Sequence, residues 1–104
     1  MLIRITAADG ARGAVTLDEP DVFSAFSVRI DGEAAHPSVA SALRSIGRVG
    51  DEGGHVFVPP DVIRGLAGER ASDPEWTLKL EQMCAYAVMR GWCTDDGAIR
   101  AHIE

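Results

Sequence analysis

Residues 74–90 constrain what this chain can fold into more than any other segment. Ser72 or Asp73 supplies a side-chain acceptor for the free N–H groups at a helix start. Pro74 fits the first turn without losing a hydrogen bond, and Glu75 faces the positive end of the helix dipole. Trp76, Leu80, Met83, Cys84, Ala87 and Val88 then recur at i, i+4, i+7, i+8, i+11 and i+12, a continuous apolar stripe. Leu78, Ala85, Met89 and Trp92 widen the stripe on a second flank, and Lys79, Gln82, Tyr86 and Arg90 hold the opposite face. A helix apolar over so much of its circumference predicts packing on more than one side. Gly91 ends it as a C-cap.

The remaining segments supply what such a helix needs to pack against. Residues 1–6 alternate as a strand, with Ile3 and Ile5 on one face and Arg4 on the other. Turn chemistry at Ala8-Asp9-Gly10-Ala11-Arg12-Gly13 leads to a return strand through Val15 and Leu17, ended by Asp18-Glu19-Pro20. A third strand is expected over 23–30, where Phe26, Val28 and Ile30 alternate with Ser27 and Arg29. His36-Pro37-Ser38 opens a helix whose Val39, Ala42, Leu43 and Ile46 share one face, closed by Gly47 as a left-handed C-cap. After Asp51-Glu52-Gly53-Gly54, His55-Val56-Phe57-Val58 reads as a strand stopped by Pro59-Pro60. Asp61 to Ala67 is a short helix with Val62, Ile63 and Leu66 inward.

Thr94-Asp95-Asp96-Gly97 makes a turn, and Ile99, Ala101 and Ile103 alternate with Arg100, His102 and Glu104 as a last strand. The expected fold is therefore α+β: a small mixed or mostly antiparallel sheet of about four to five short strands against two or three helices, in the order β-β-β-α-β-α-α-β. With 104 residues the chain suits a single compact domain, 1–104. One correspondence runs through it at a spacing of 44: Gly47, Asp51, Glu52 and Gly53 align with Gly91, Asp95, Asp96 and Gly97. Helix-to-strand connections recruit glycine and aspartate for local backbone reasons, so this pattern does not require a duplicated unit.

Charge narrows the choice of partners. The net charge of −6 is uneven: residues 1–50 carry five basic and six acidic side chains, and residues 51–104 carry five and ten. An acidic surface repels phosphate backbones, so neither nucleic-acid nor membrane-surface binding is expected. No apolar run reaches the roughly 20 residues of a membrane span, and residues 1–6 lack the basic and apolar regions of a signal peptide. The expected compartment is the cytoplasm, where Cys84 and Cys93 stay reduced.

No catalytic, nucleotide-binding or metal-ligand motif is present. Cys84 and Cys93 stand nine apart, which fits no zinc knuckle, and His36, His55 and His102 are scattered. Neither a metal nor a cofactor is expected. The acidic turns fall short of a calcium loop. Acid–base chemistry, if any, falls to His55 or His102 with an acidic turn residue, or to Cys93 meeting one of those histidines. Trp92 follows the helix cap with one edge open to water, a residue favoured at interfaces. Together with Asp95, Asp96 and His102 it marks the expected contact surface, and the last strand, if at a sheet edge, offers pairing to a second copy.

Two functions remain open. One is an interaction or binding module whose partner is itself or another protein. The other is a small enzyme or small-molecule-binding domain with a pocket between sheet and helices. A pocket joining a histidine to a carboxylate favours the enzyme; an apolar patch at Trp92 favours the module.

Overall fold

The structure, a computed structural model, describes residues 1–7, 14–33, 36–50 and 54–104. The glycine-rich turn at 8–13 and most of the turn at 51–54 lie outside the described residues. The chain is α+β, with the elements β1 (Leu2–Thr6), β2 (Ala14–Asp18), β3 (Ser27–Asp31), α1 (Pro37–Ile46), β4 (Arg48–Val49), β5 (His55–Val58), α2 (Pro60–Ala67), α3 (Pro74–Met89) and β6 (Ile99–Ile103). A 3₁₀ turn over Gly68–Ser72 joins α2 to α3. The element order follows the sequence pattern, with one strand more than expected: the two-residue β4, which pairs with β5.

The six strands form one mixed sheet in the order β2-β1-β3-β6-β5-β4. β1 runs antiparallel to β2 and parallel to β3; β6 runs parallel to β3 and antiparallel to β5. The last strand is therefore central. Pairing with a second copy depended on its lying at a sheet edge, and that condition is not met, because β3 and β5 occupy both of its sides. The sheet edges are β2 and β4.

One face of the sheet carries the core. Ile3, Ile5, Val28, Val56, Val58, Ile99 and Ala101 are buried together with Val39, Ala42 and Ile46 of α1, Ile63 of α2, and Trp76, Leu80 and Ala87 of α3. The other face, with Arg4, Ser27, Arg29, Asp31, His55, Phe57, Arg100 and His102, has no buried residue among those described. On that face the Arg4 guanidinium bridges Asp18 and Asp31, with Nε 2.6 Å from Asp18 Oδ2. A two-layer arrangement follows from the alternation in each strand: one helical layer covers the apolar side, and water covers the other.

That arrangement corrects the reading of α3. Asp73 caps it, accepting from Glu75 N at 3.0 Å, and Trp76, Leu80 and Ala87 are buried as expected. Met83 and Cys84 are half-buried, but Val88 is 63 % exposed. The second flank of Leu78, Ala85 and Met89 points to solvent as well. With only one layer beneath it, the helix has a single covered side. Its end does match the sequence: Gly91 has φ 75°, Gly91 N bonds Val88 O at 3.0 Å, and Trp92 N bonds Ala87 O at 2.9 Å, the double closure of a Schellman motif.

Gly47 is a glycine for a different reason from the one expected. Its φ is 174°, extended rather than left-handed. A Cβ at this position would lie 2.0 Å from the carbonyl oxygen of Phe57, so the close approach of the α1 terminus to β5 demands hydrogen. The 44-residue correspondence thus breaks at its first glycine, although both instances run from a helix through a short antiparallel pairing into a longer strand. Val49 pairs with Val56 in one, and Cys93 bridges Ile99 in the other.

The third strand is shorter than its sequence pattern. It begins at Ser27, and residues 23–26 leave the sheet. Phe23 packs on Trp76 with ring centroids 5.9 Å apart, and the Met1 nitrogen donates to Val22 O at 2.7 Å and Ala25 O at 3.0 Å. These contacts divert the chain from the ladder that its alternation favours.

Replacing Trp76 by Ala removes a buried ring and its hydrogen bond, and is expected to cost about 3–5 kcal/mol in chemical denaturation. Gly47→Ala is expected to cost at least about 1–3 kcal/mol by forcing α1 away from β5. A loss below about 1 kcal/mol at either position would contradict the packing described for it.

Candidate functional site

The candidate site forms where β3 and β6 part. β3 contributes only Ser27 and Val28 to their parallel pairing, against His102 and Ile103. Upstream of Ser27 the loop swings toward α3. The start of β6 is paired instead by the segment after the helix cap: Arg100 N bonds Trp92 O at 2.7 Å, and Thr94 N bonds Ala98 O at 2.9 Å. Between the departing loop, the C-terminal half of α3 and Trp92 lies a groove.

Its deeper part is a cavity of about 350 Å³ walled by Phe23, Phe26, Met83, Tyr86, Trp92 and Arg100, among others. A shallower cavity continues along the helix past Lys79 and Gln82 and shares Phe23, Ser24, Met83 and Tyr86 with it. Of the six aromatic residues in the chain, four line this groove: Phe23, Phe26, Tyr86 and Trp92. Trp92 is fixed from two sides. The Tyr86 ring meets it edge-on at 5.8 Å, and the Arg90 guanidinium stands 5.2 Å from its centroid. Such contacts hold an indole in one orientation at little further entropic cost on binding.

The loop wall is tied down at separate points. Trp76 Nε1 donates to Pro20 O at 2.8 Å, and Arg70 Nη1 donates to Asp21 Oδ1 at 2.8 Å. Hence a core side chain and a surface ion pair together fix the loop that walls the groove. Among the described residues neither a histidine nor a carboxylate lines it.

The residues singled out by sequence fall in three places. Trp92 is in the groove. Asp95 and Asp96 are exposed in the turn after it, and Asp96 is held by a local contact. The Thr94 hydroxyl donates to Asp96, holding its carboxyl below the ordinary aspartate range, and Ala98 N donates to Thr94 Oγ1 at 3.1 Å. His102 lies on the open face of the sheet, directly opposite His55 in the β5–β6 register, their rings edge-on with centroids 5.5 Å apart. The structure therefore brings the two histidines together but separates them from Trp92.

Sequence reasoning missed most of the groove. Phe26 reads locally as a strand residue and Tyr86 as part of a polar helix face, and Met83 reads as core. Only Trp92, by its position after a cap, was visible. A signal existed in the clustering of Phe23 and Phe26 just before a strand, but its meaning depends on the chain leaving the sheet there.

Cys93 faces Ile99 across an antiparallel bridge, and burial pushes its thiol up from the ordinary cysteine value. Burial likewise raises Cys84, more than Arg64 lowers it. Both are free thiols. Among the described residues no three or more His, Cys, Asp and Glu side chains gather as metal ligands, and no helix is long and apolar enough to cross a membrane. Comparison with known protein families, with curated proteins and with solved structures finds no match to this chain.

Alkylation of both cysteines by iodoacetamide is expected to be slow at neutral pH and to keep accelerating to beyond pH 9.0, the ordinary thiol value. A rate that levels off near neutrality for Cys93 would reveal an activated thiolate instead.

Proposed function

We propose that this domain is a small protein-binding module, and that the groove between residues 19–26 and α3 receives an apolar side chain of its partner. The observation that carries the reading is the convergence of four of the chain's six aromatic side chains on one open groove without a histidine or carboxylate in its walls. Aromatic residues and arginine dominate binding energy at interfaces, because large rigid rings bury area at low entropic cost. A cavity of about 350 Å³ lies at the low end of the sizes that enclose a ligand, which suits one or two anchoring side chains.

Arg100 in the wall and Arg90 over Trp92 place positive charge at the rim of a protein with net charge −6. A partner segment that combines a bulky apolar anchor with a neighbouring carboxylate matches both features. The two free thiols suit a reducing compartment such as the cytoplasm. The acid–base alternative draws less support, since neither His55 nor His102 lines the cavity.

The test is a titration with short peptides bearing a single Leu, Phe or Trp, with and without an adjacent Asp, followed by backbone amide NMR shifts. Shifts concentrated at Phe23–Phe26, Tyr86, Trp92 and Arg100 are expected, with tighter binding for the acidic versions. Trp92→Ala should weaken the best peptide by roughly 2 kcal/mol. Shifts centred on His55 and His102, or none at all, would refute the proposal.

A further inference from the structure

The outward side of α3 carries a second pattern. Leu78, Gln82, Ala85 and Met89 repeat at i, i+4, i+7 and i+11, the spacing of a seam between two helices. All four are exposed, Leu78 at 55 % and Met89 at 72 %. With Tyr86 and Val88, this helix supplies most of the large apolar side chains that the described residues leave in water. A solvated helix face ordinarily carries charge at such positions, and here it does not.

We infer that this face pairs with the same face of a second copy, antiparallel, across a two-fold axis passing between Gln82 and Ala85. The spacing is self-complementary under that operation. Leu78 falls opposite the partner's Met89, and Gln82 opposite the partner's Ala85, a large pair at each end and a small residue at the centre where the helices approach most closely. An isologous contact requires this symmetry, because each residue must meet its counterpart in both directions.

Charge selects the antiparallel direction. Glu75 lies in the first turn of α3 and Arg90 at its end, on the same flank of the seam. Reversing the partner brings Arg90 of each copy against the partner's Glu75, giving two symmetry-related ion pairs, and opposes the two helix dipoles. A parallel pairing would put this flank of each copy on opposite sides of the seam, so neither Glu75 nor Arg90 would meet the opposite charge on the partner. Within one copy Glu75 contacts Lys79 at 3.3 Å, so the helix pair adds a second cation to a carboxylate already oriented toward this flank.

The arrangement also bears on the groove. Lys79, Gln82 and Tyr86 line its shallow end, on the flank that turns toward the second copy. The partner's Lys79 and Tyr86 are carried to that opening, so the dimer supplies a wall that one chain lacks. The pairing stands on the helix face alone and does not depend on what the groove binds.

Sedimentation equilibrium of the full chain over a wide concentration range provides the test. Mass rising with concentration from one chain to two is expected, because a single 16-residue helix face buries less than a standard interface and gives a weak, reversible dimer. Leu78→Glu with Met89→Glu should abolish dimerisation without changing thermal unfolding of the dilute protein, since both side chains are exposed. Arg90→Glu should weaken the dimer about tenfold by replacing two attractive contacts with repulsive ones. Adding Glu75→Arg to Arg90→Glu should restore it. A single-chain mass at every concentration would overturn the inference, as would a dimer that Leu78→Glu with Met89→Glu leaves intact, or a charge reversal that fails to rescue. Peptide binding at Trp92 is read separately on the dilute protein, so a monomeric result leaves the groove reading standing and a failed titration leaves the dimer standing.

Discussion

The indole of Trp76 joins the interior of this domain to the surface that we assign to binding. Its ring fills the core beneath α3 while its N–H satisfies the carbonyl of Pro20, and Phe23 packs on its face. The segment from Glu19 to Phe26 has no ladder of its own; its shape is set by one local turn, Val22 N to Glu19 O at 3.0 Å, and by contacts from Met1, Arg70 and Trp76. Were the indole absent, a donor and a large ring would vanish together, and Phe23 would lose the surface on which it packs. Packing and recognition are thus two ends of one side chain.

Period-two patterns were legible because they report burial directly. Ile3 and Ile5, Val56 and Val58, and Ile99 and Ala101 all point inward where alternation puts them. Caps were legible too, as Asp73 and Gly91 show, since they depend only on neighbouring backbone groups. What a helix packs against is another matter. Hydrophobicity around α3 records which residues avoid water, yet it does not say how many layers exist to receive them. Leu78, Val88 and Met89 look like core residues in sequence and are solvent-facing in the fold. Strand order was hidden for a related reason, because β6 carries no mark of its partners.

The groove was the least legible feature, being assembled from three distant segments at the point where two parallel strands diverge. Phe26 takes its role from the departure of its chain from the sheet, and Tyr86 from the loop that arrives beside it. Gly47 offers a contrast. Its conservative position after a helix suggested a familiar turn, whereas the governing constraint is a carbonyl oxygen from β5 pressed against its α-carbon. In each case a residue's local reading was reasonable and a non-local contact decided the outcome.

The central place of β6 has a consequence for how the domain comes into being. β1, β2 and β3 form one half-sheet, β4 and β5 another, and no hydrogen bond of the ladder joins them until residues 99–103 slide between. In chain order both halves precede the strand that unites them, so β3 and β5 have no shared neighbour until residues 99–103 are made. A chain with β3 and β5 but without residues 99–103 keeps two unfinished edges, which makes β6 the guard against misassembly as well as the centre of the finished sheet.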